Sequence, residues 1–448
     1  MLINFLQLAA FFRTYVCINI IIYHVPICYT SYFSSLSHKD RYRILKRAGV
    51  YMGLLRATLL LASTAFIGEC IEFFINLVLA KYLGEYWLGK YMSILPIIGF
   101  VAILASLELD IAVSKFVAER EEEAHYSIIH IAGQMGFLFI LCLIVLGTVL
   151  FLVFPVFSEI HFLVRWLILF LIPLVLLSSI IRGYFIGVQR MGKIAIANLL
   201  SKAMQLFLLL LFFQFFVVPL EISILFAIFA IIGAEILALV YLLSTFLLQL
   251  RKLKSLKGIR QYNKSTLMRE LLSISIPTAS MRIFNSLVNA IKPFYIQGVL
   301  IASGLSALEA TEQFGIITGV VFSIGFFPAF IAHSFMVVLI PNVASAYRSG
   351  DRGKLIRLLR QVILLTSLYG IPVCVFFYSF AEPLTRLFVS SPVAPYYLQL
   401  MWPYFLLHYF TFPLQAFLIA LGLVKDVFLH NIWEAVVIFT LIWLFGVN

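Results

Sequence analysis

The sequence predicts an all-α integral membrane protein with two six-helix bundles around a central cavity, the second bundle lacking its last helix. Three observations predict this class. Apolar stretches of about twenty residues, long enough to cross a bilayer, recur along the chain. Only 12% of the 448 residues are charged, whereas about a quarter are charged in a soluble protein. The apolar stretches do not alternate with polar residues, as the strands of a membrane barrel do.

Eleven membrane-spanning helices are predicted, and prolines inside them, Pro328 among them, are typical of kinks. They lie at roughly 56–80, 91–113, 127–153, 163–185, 194–218, 222–248, 271–300, 314–340, 359–380, 396–421 and 427–447. These spans give an N-terminal bundle at 51–248, a basic cytoplasmic linker at 249–270 and an incomplete C-terminal bundle at 271–448. We therefore expect that the protein is truncated or that its last helix is missing from this chain.

Residues 1–50 form an N-terminal extension of a different character. An apolar segment at 2–28 is interrupted by Arg13, His24 and Pro26. It has no small-residue cleavage site of the kind that ends a signal peptide. Three interpretations stay open: a membrane-embedded leader, an extra helix, or sequence from a misplaced start codon.

Basic residues predict the orientation in the membrane. Of the 32 lysines and arginines, 23 lie in alternate loops, at 39–47, 115–125, 182–193, 251–269, 348–360 and 425. The intervening loops hold only Lys81, Lys90, Arg165 and Arg386. Because cytoplasmic loops carry the excess of positive charge, loop 39–47 is predicted to be cytoplasmic, with strict alternation after it.

The chain also shows a weak internal repeat. Residues 111–135 align with 338–362, and residues 190–202 align with 423–435, pairing Asn198 with Asn431. The offsets are 227 and 233 residues, and both pairs of segments pass through a loop predicted to be cytoplasmic. The pattern predicts two parallel repeats, as in transporters built from two similar bundles.

The seventh predicted helix carries a polar stripe inside an apolar run. Arg282, Asn285, Asn289 and Lys292 are spaced by three, four and three residues, so they share one helix face. A charged side chain at the bilayer centre costs at least ~2.5–3.5 kcal/mol, so such residues mark pathways or protected interiors. The guanidinium of arginine also matches phosphate oxygens with two parallel hydrogen bonds. We therefore expect these four residues to bind an anionic substrate.

Other predicted helices carry charges that belong to the same hypothesis. Arg56 and Lys202 are candidates for secondary substrate contacts, and Glu69, Glu72 and Glu235 for ion coupling or charge balance. Two interpretations compete. The charges either line the central cavity, or pair across helices and only stabilise the bundle.

Several classes of function are disfavoured. The basic residues lie in loops between apolar runs, which indicates membrane topology and not nucleic-acid binding. The motifs HExxH, GxxxxGK[ST] and GxSxG do not occur, so neither an enzyme nor a nucleotide or other cofactor is predicted. Five scattered cysteines show no metal-ligand spacing, and His333 and His408 are interpreted as core or interfacial residues.

Five stretches, in order along roughly 50–448, resemble the polysaccharide-transporter family of lipid-linked oligosaccharide flippases. They are LAKYLGEYWLGKY (79–91), DIAVSKFVAE (110–119), RGYFIGVQRMGKIAIANLL (182–200), LLSISIPTASMRIFNSL (271–287) and FFPAFIAHSFMVVLIPNVASAY (326–347). The resemblance is to the subgroup that contains stage V sporulation protein B, within the superfamily that also holds multidrug and toxin extrusion antiporters. It implies twelve to fourteen helices in two bundles around a cavity, and a basic residue where Arg282 stands. Members of the subgroup often carry an acidic residue where Lys292 stands.

The resemblance implies a function in a bacterial plasma membrane. It implies export of an undecaprenyl-pyrophosphate-linked saccharide for cell wall, capsule or spore cortex, with cell-wall or polysaccharide synthesis enzymes as further partners. Two alternatives stay open: a cation-coupled multidrug antiporter of the same architecture, and a non-transporting degenerate scaffold.

Overall fold

The computed structural model describes the backbone of residues 40–153, 161–216, 219–254 and 264–446, and the side chains of most residues from Ser63 onward. All regular secondary structure in these ranges is helical. The predicted N-terminal segment 2–28 lies outside them, as does part of the predicted linker.

Seven helices cover the described chain as far as residue 302. They are α1 (Asp40–Ser106), α2 (Leu109–Glu119), α3 (Glu122–Val153), α4 (Leu163–Gly187), α5 (Met191–Phe215), α6 (Leu220–Lys254) and α7 (Lys264–Ala302). The helix α1 contains a non-helical residue, Gly84, with φ 70°. A residue without Cβ adopts this left-handed conformation at no steric cost, so α1 turns at this point.

Eight further helices and one π-helical segment follow. They are α8 (Ala307–Gly315), the π segment (Ile316–Val321), α9 (Phe322–Phe326), α10 (Ala329–Arg348), α11 (Arg352–Ser379), α12 (Ala381–Arg386), α13 (Val393–Leu400), α14 (Trp402–Ala420) and α15 (Val424–Gly446). The amide of Phe322 donates to the carbonyl of Ile317, five residues earlier, as expected of a π-helix.

The all-α membrane fold predicted from the sequence is confirmed. Nine helical stretches in the described part of the chain are long and apolar enough to cross a membrane, the first of them running from Ser63 to Glu119 through the turn at Gly84. Apolar side chains of α3, such as Phe137 and Leu152, are strongly exposed, as on a helix that faces lipid. Three predicted spans are wrong as continuous helices. The span 91–113 is broken at residues 107–108, the span 314–340 at residues 327–328, and the span 396–421 at Met401.

The order of the elements repeats between the two halves. Left-handed glycines, Gly84 and Gly304, lie at corresponding turns. Short connections follow Glu119 and Arg348, which are 229 residues apart, and the ends of α4 and α14 are 233 residues apart. In the first half α2 packs on α4 and α3, and in the second α10 packs on α14 and α11. These offsets agree with the repeat predicted from the sequence.

The structure divides into two compact units. The first unit is Cys70–Phe294, and the second unit is Tyr295–Asn448 together with the chain up to Glu69. A large core in the first unit joins α2, α3, α4 and α6 to the start of α7, where Leu267 and Leu271 are buried. The second unit has its own core between α10, α11 and α14, centred on fully buried residues such as Val343 and Phe417.

Two glycines of α4 allow α2 to approach closely. A Cβ at Gly183 would lie 2.8 Å from the backbone oxygen of Asp110, and a Cβ at Gly187 would lie 2.6 Å from Cβ of Val117. The spacing Gly-x-x-x-Gly is the small-residue pattern that brings membrane helices together. This contact fixes the position of α2, and with it the break that precedes α2.

Candidate functional site

The central feature of the candidate site is an ion pair between Arg282 of α7 and Glu108, at the break between α1 and α2. The Nη1 atom of Arg282 lies 2.8 Å from Oε1 and 3.0 Å from Oε2 of Glu108. The side chain of Glu108 is 1% exposed, whereas that of Arg282 is 54% exposed. One cation therefore neutralises a buried carboxylate from an accessible position.

The backbone at the break is held in an uncommon conformation. Leu107 and Glu108 have φ values of 48° and 51°, a left-handed region that costs residues other than glycine roughly 1–3 kcal/mol each. Local and long-range contacts hold it there. The amide of Glu108 donates to the hydroxyl of Ser106, the hydroxyl of Ser275 donates to the carbonyl of Leu107, and the amide of Asp110 donates to the hydroxyl of Ser179.

A second ion pair ties α7 to the other end of α2. Arg120, just after α2, donates from Nη2 to Glu270 near the start of α7. Both residues lie in or next to loops predicted to be cytoplasmic. Since α7 rises ~1.5 Å per residue, Arg282 lies about 18 Å farther along the helix than Glu270. The Arg282–Glu108 pair is thus well inside the membrane-spanning part of α7.

The four residues of the predicted stripe lie on one face of α7. Arg282 and Asn289 are exposed, while Asn285 and Lys292 are partly buried. The ammonium of Lys292 donates to the side-chain oxygen of Asn289 at 3.0 Å. A buried strip that includes Ser286 and Ala290, and beyond it an exposed apolar strip that includes Leu287 and Ile291, occupy other faces. The polar stripe is therefore distinct from the apolar surface that α7 exposes.

Lys202 of α5, which was predicted as a secondary substrate contact, has its Nζ atom 3.6 Å from Oε2 of Glu72 in α1. Both side chains are about a third exposed. Next to it, Arg182 of α4 donates to the side-chain oxygen of Asn198 at 2.5 Å. Pairing across helices, the structural alternative of the sequence analysis, therefore occurs at Lys202 and at Arg282.

Three other predicted residues, Glu69, Glu235 and Arg56, belong to neither the Arg282–Glu108 pair nor the Lys202–Glu72 pair. Glu69 is partly buried on α1 in the second unit, and Glu235 is partly buried on α6 in the first. Arg56 lies in α1, but its side chain is outside the described residues. Glu108 was not predicted. Its signal was the stretch Leu-Glu-Leu-Asp at 107–110, which was included in the span 91–113 although it carries two acidic residues.

The second unit has an aromatic surface where the first has charges. Three side chains of α14 lie one turn apart: Tyr404, His408 and Phe412. Two phenylalanines of α9, Phe322 and Phe326, pack against the first two of them. Ring centroids of Phe326 and His408 are 4.5 Å apart, and those of His408 and Phe412 are 5.0 Å apart. The ring centroids of His333 and Phe412 are 4.0 Å apart. Both histidines thus pack against aromatic rings.

Comparison with known proteins identifies the family. The family described as "Polysaccharide biosynthesis protein" matches residues 54–332, and the MatE family matches residues 316–444. Sporulation protein YkvU of Bacillus subtilis (strain 168) is 44% identical over 391 residues, which cover 87% of this chain and 88% of the relative. Stage V sporulation protein B of the same organism is 28% identical over 397 residues, covering 86% of this chain and 76% of the relative.

Solved structures with a similar fold are membrane transporters. A multidrug resistance MATE-family transporter of the MOP superfamily, in its inward-facing conformation, has a TM-score of 0.59 at 16% identity, covering 85% of this chain and 93% of its own. A MOP-superfamily transporter from Pyrococcus furiosus, with a binding pocket described as having reverse polarity, has a TM-score of 0.52 at 14% identity, covering 87% and 94%. The chain therefore belongs to the polysaccharide transporter family, close to stage V sporulation protein B-like proteins, and is a multi-pass membrane protein with the fold of MOP-superfamily transporters.

Proposed function

We propose that this protein is an alternating-access flippase that exports an undecaprenyl-pyrophosphate-linked saccharide, and that Arg282 binds the pyrophosphate. Family membership supports a polysaccharide-related substrate, and both curated relatives carry sporulation in their names. The observation that carries the proposal is the exposed guanidinium of Arg282 on a membrane-spanning helix, held in place by a buried carboxylate.

The geometry leaves Arg282 able to bind a second anion. A guanidinium has five N–H donors in a planar fork, and Nη1 is the nitrogen that contacts both oxygens of Glu108. The side chain is more than half exposed, so donors on its other edge remain accessible to a phosphate. Phosphate recognition by arginine uses such parallel N–H donors.

The other residues of the stripe extend the same surface. Lys292 and Asn289, one helical turn apart and hydrogen-bonded to each other, supply a second cation and further donors along α7. Lys202 and Arg56 are secondary contacts in this proposal. Glu72, 3.6 Å from Lys202, balances charge there, and Glu69 and Glu235 are assigned to charge balance or ion coupling.

The test is binding of undecaprenyl-pyrophosphate-linked saccharide to purified protein by native mass spectrometry, for the wild type and for Arg282→Ala. Because the substitution removes the proposed pyrophosphate ligand, we expect the fraction of protein with bound lipid to fall at least about tenfold, equivalent to ~1.4 kcal/mol. Transport should be lost while the level of protein in the membrane is unchanged.

Arg120→Ala is the matched control. Arg120 is also an arginine of the first unit paired with a glutamate, but it lies at the end of α2 and outside the stripe. We expect its binding to remain within about twofold of the wild type. Equal losses in Arg120→Ala and Arg282→Ala, or no loss in either, would contradict an anion site at Arg282.

A cation-coupled multidrug antiporter is the second candidate, and the match of the MatE family to residues 316–444 favours it. In this case the acidic residues would bind cationic drugs, and an expressing strain would show raised drug resistance that survives Arg282→Ala. Protein that is stable in the membrane but shows neither activity would favour a scaffold.

A further inference from the structure

We propose that Glu108 is a proton carrier: when an anion binds Arg282, the Glu108 carboxylate takes up a proton, and it releases the proton when the anion leaves. This inference rests on the proposed function, because it assigns the anion to Arg282. It names a coupling residue that the sequence analysis did not identify.

Burial is the first step of the argument. The Glu108 side chain is 1% exposed, so its ionised form is stable only with a charge partner. Both of its oxygens contact a single atom, Nη1 of Arg282. The backbone here is held by Ser106, which accepts from the Glu108 amide, and by the contact of Ser275 with Leu107.

The charges around Glu108 make the second step. Among the described residues, the charged groups that act on this carboxylate are Arg282 from α7 and Asp110 from α2 itself. At this level α4 presents a neutral hydroxyl, Ser179, and α3 places its His125 at the far end of α2, against the carbonyl of Arg120. Arg282 is therefore the cation that keeps Glu108 ionised.

Asp110 adds to the same effect. One of its carboxylate oxygens is buried and has no hydrogen-bond partner among the described residues. The Asp110 carboxylate thus repels that of Glu108, which is paired with one cation, Arg282. When this cation is shared with a phosphate, the like charges favour protonation of one of them.

The direction of the coupling follows from the chemistry. When the anion binds Arg282, it withdraws positive charge from Glu108, and a proton from the solvent forms an O–H bond with the carboxylate. When the anion leaves, the Arg282–Glu108 pair forms again and the proton returns to the solvent. Anion and proton are therefore bound together and travel in the same direction. In a cation-exchanging antiporter the proton and the substrate bind in alternation.

The first test needs no substrate. In Arg282→Gln the partner of Glu108 is gone, so infrared spectroscopy at neutral pH should show the carbonyl absorption of a protonated carboxyl group. The absorption should be absent in the wild type and in the double variant Arg282→Gln/Glu108→Gln, and retained in Arg282→Gln/Asp110→Asn. A folded Arg282→Gln protein without the absorption would overturn the proposal, and so would an absorption that disappears only with Asp110→Asn.

A second measurement covers the case in which Arg282→Gln does not fold. Calorimetric titration of wild-type protein with undecaprenyl pyrophosphate, in two buffers of different ionisation enthalpy, should show uptake of about one proton per bound anion. This uptake should be lost in Glu108→Gln. Binding without proton uptake overturns the role of Glu108 alone. Absence of binding overturns the proposed anion site, and the proton uptake assigned to Glu108 falls with it.

Discussion

Two equivalent helix contacts, α2 on α4 in the first unit and α10 on α14 in the second, are built with different chemistry. In the first unit the helix before α2 ends in two left-handed residues and a buried carboxylate paired with Arg282. In the second unit α9 ends at Phe326, whose ring packs against that of Tyr404, and Pro328 precedes α10 in right-handed conformation. The same order of elements thus supports a charged break in one unit and an aromatic one in the other.

The comparison shows which features the fold requires and which it leaves free. Both units contain a close approach between helices: α2 lies against Gly183 of α4 in the first, and Phe405 of α14 fills the space beside Gly325 of α9 in the second. Close packing is therefore common to both units. The ion pair belongs to the first unit, so we expect substitutions there to change binding, and substitutions at the equivalent position of the second unit to change stability.

The largest effect is expected from Gly183→Ala, which would break the close contact of the first unit. The new Cβ would lie 2.8 Å from the Asp110 oxygen and 2.9 Å from the Asp110 Cα, and backbone atoms cannot move aside locally. We expect a loss of stability of about 1–3 kcal/mol, seen as a lower Tm in detergent by scanning fluorimetry. Because Asp110 follows the break directly, anion binding should weaken as well.

Gly133→Ala is the control for this prediction. Gly133 lies in the membrane-spanning helix α3, and a Cβ there would meet nothing within 4 Å. Its Tm should equal or slightly exceed that of the wild type, since alanine favours helix. Similar losses in both variants would show that the approach of α2 to α4 is not the cause.

Much of the fold was predictable because it depends on residue types that repeat. Apolar runs predicted the helices, and the repeat offsets agree with the ends of α2, α4, α10 and α14. The interruption at Pro328 also had a signal, although proline was interpreted there as a kink inside one span. These features are local, and local sequence determines them.

The ion pair was not predictable in the same way. Nothing in the sequence around Leu107 indicates a left-handed backbone, which leucine disfavours and which contacts with Ser275 and Arg282 hold in place. Glu108 and Arg282 are 174 residues apart in the chain. The stripe on α7 predicted that a cation would lie inside the membrane, but its partner became visible only when α2 and α7 were placed together.

A smaller effect is expected from Tyr409→Phe, which tests the second unit. The fully buried hydroxyl of Tyr409 donates to the carbonyl of Gly325 at 2.6 Å and links α14 to α9. Losing one buried hydrogen bond should reduce stability by about 1 kcal/mol, measured as a lower Tm. Anion binding should not change, because the site lies in the first unit.

Tyr378→Phe, at an exposed side chain of α11, is the matched control and should leave the Tm unchanged. If Tyr409→Phe weakened anion binding as well as lowering the Tm, the assignment of binding to the first unit and of a structural role to the aromatic contact of the second would be wrong.

The smallest effect is expected at the turn after Gly304, which corresponds to the turn at Gly84. Glu309 accepts hydrogen bonds from the amide and the hydroxyl of Ser306, at 2.9 and 2.8 Å, and these bonds lower the pKa of Glu309. The capping box of α8 therefore stabilises the folded protein at pH values above the ordinary pKa of glutamate. This contribution is lost as the pH falls through the lowered pKa of Glu309.

Measuring the Tm from neutral pH down to about pH 3 should show a slightly steeper acid decrease in the wild type than in Glu309→Gln, beginning near the ordinary Glu pKa and continuing below it. Glu309→Gln should also have a slightly lower Tm at neutral pH. Identical pH dependence in the two proteins would mean that the box, although formed, does not stabilise the second unit.

The π segment Ile316–Val321 has a consequence for the rings that follow it. A π turn takes up about one residue more than an α turn, and one residue corresponds to a rotation of about 100° around the helix axis. Phe322 and Phe326 therefore face Tyr404 and His408 because of a hydrogen-bond register, and not only because of their places in the sequence. In a continuous α-helix, the same chain would present its neighbouring residues to α14, so this aromatic surface depends on how the helix is wound.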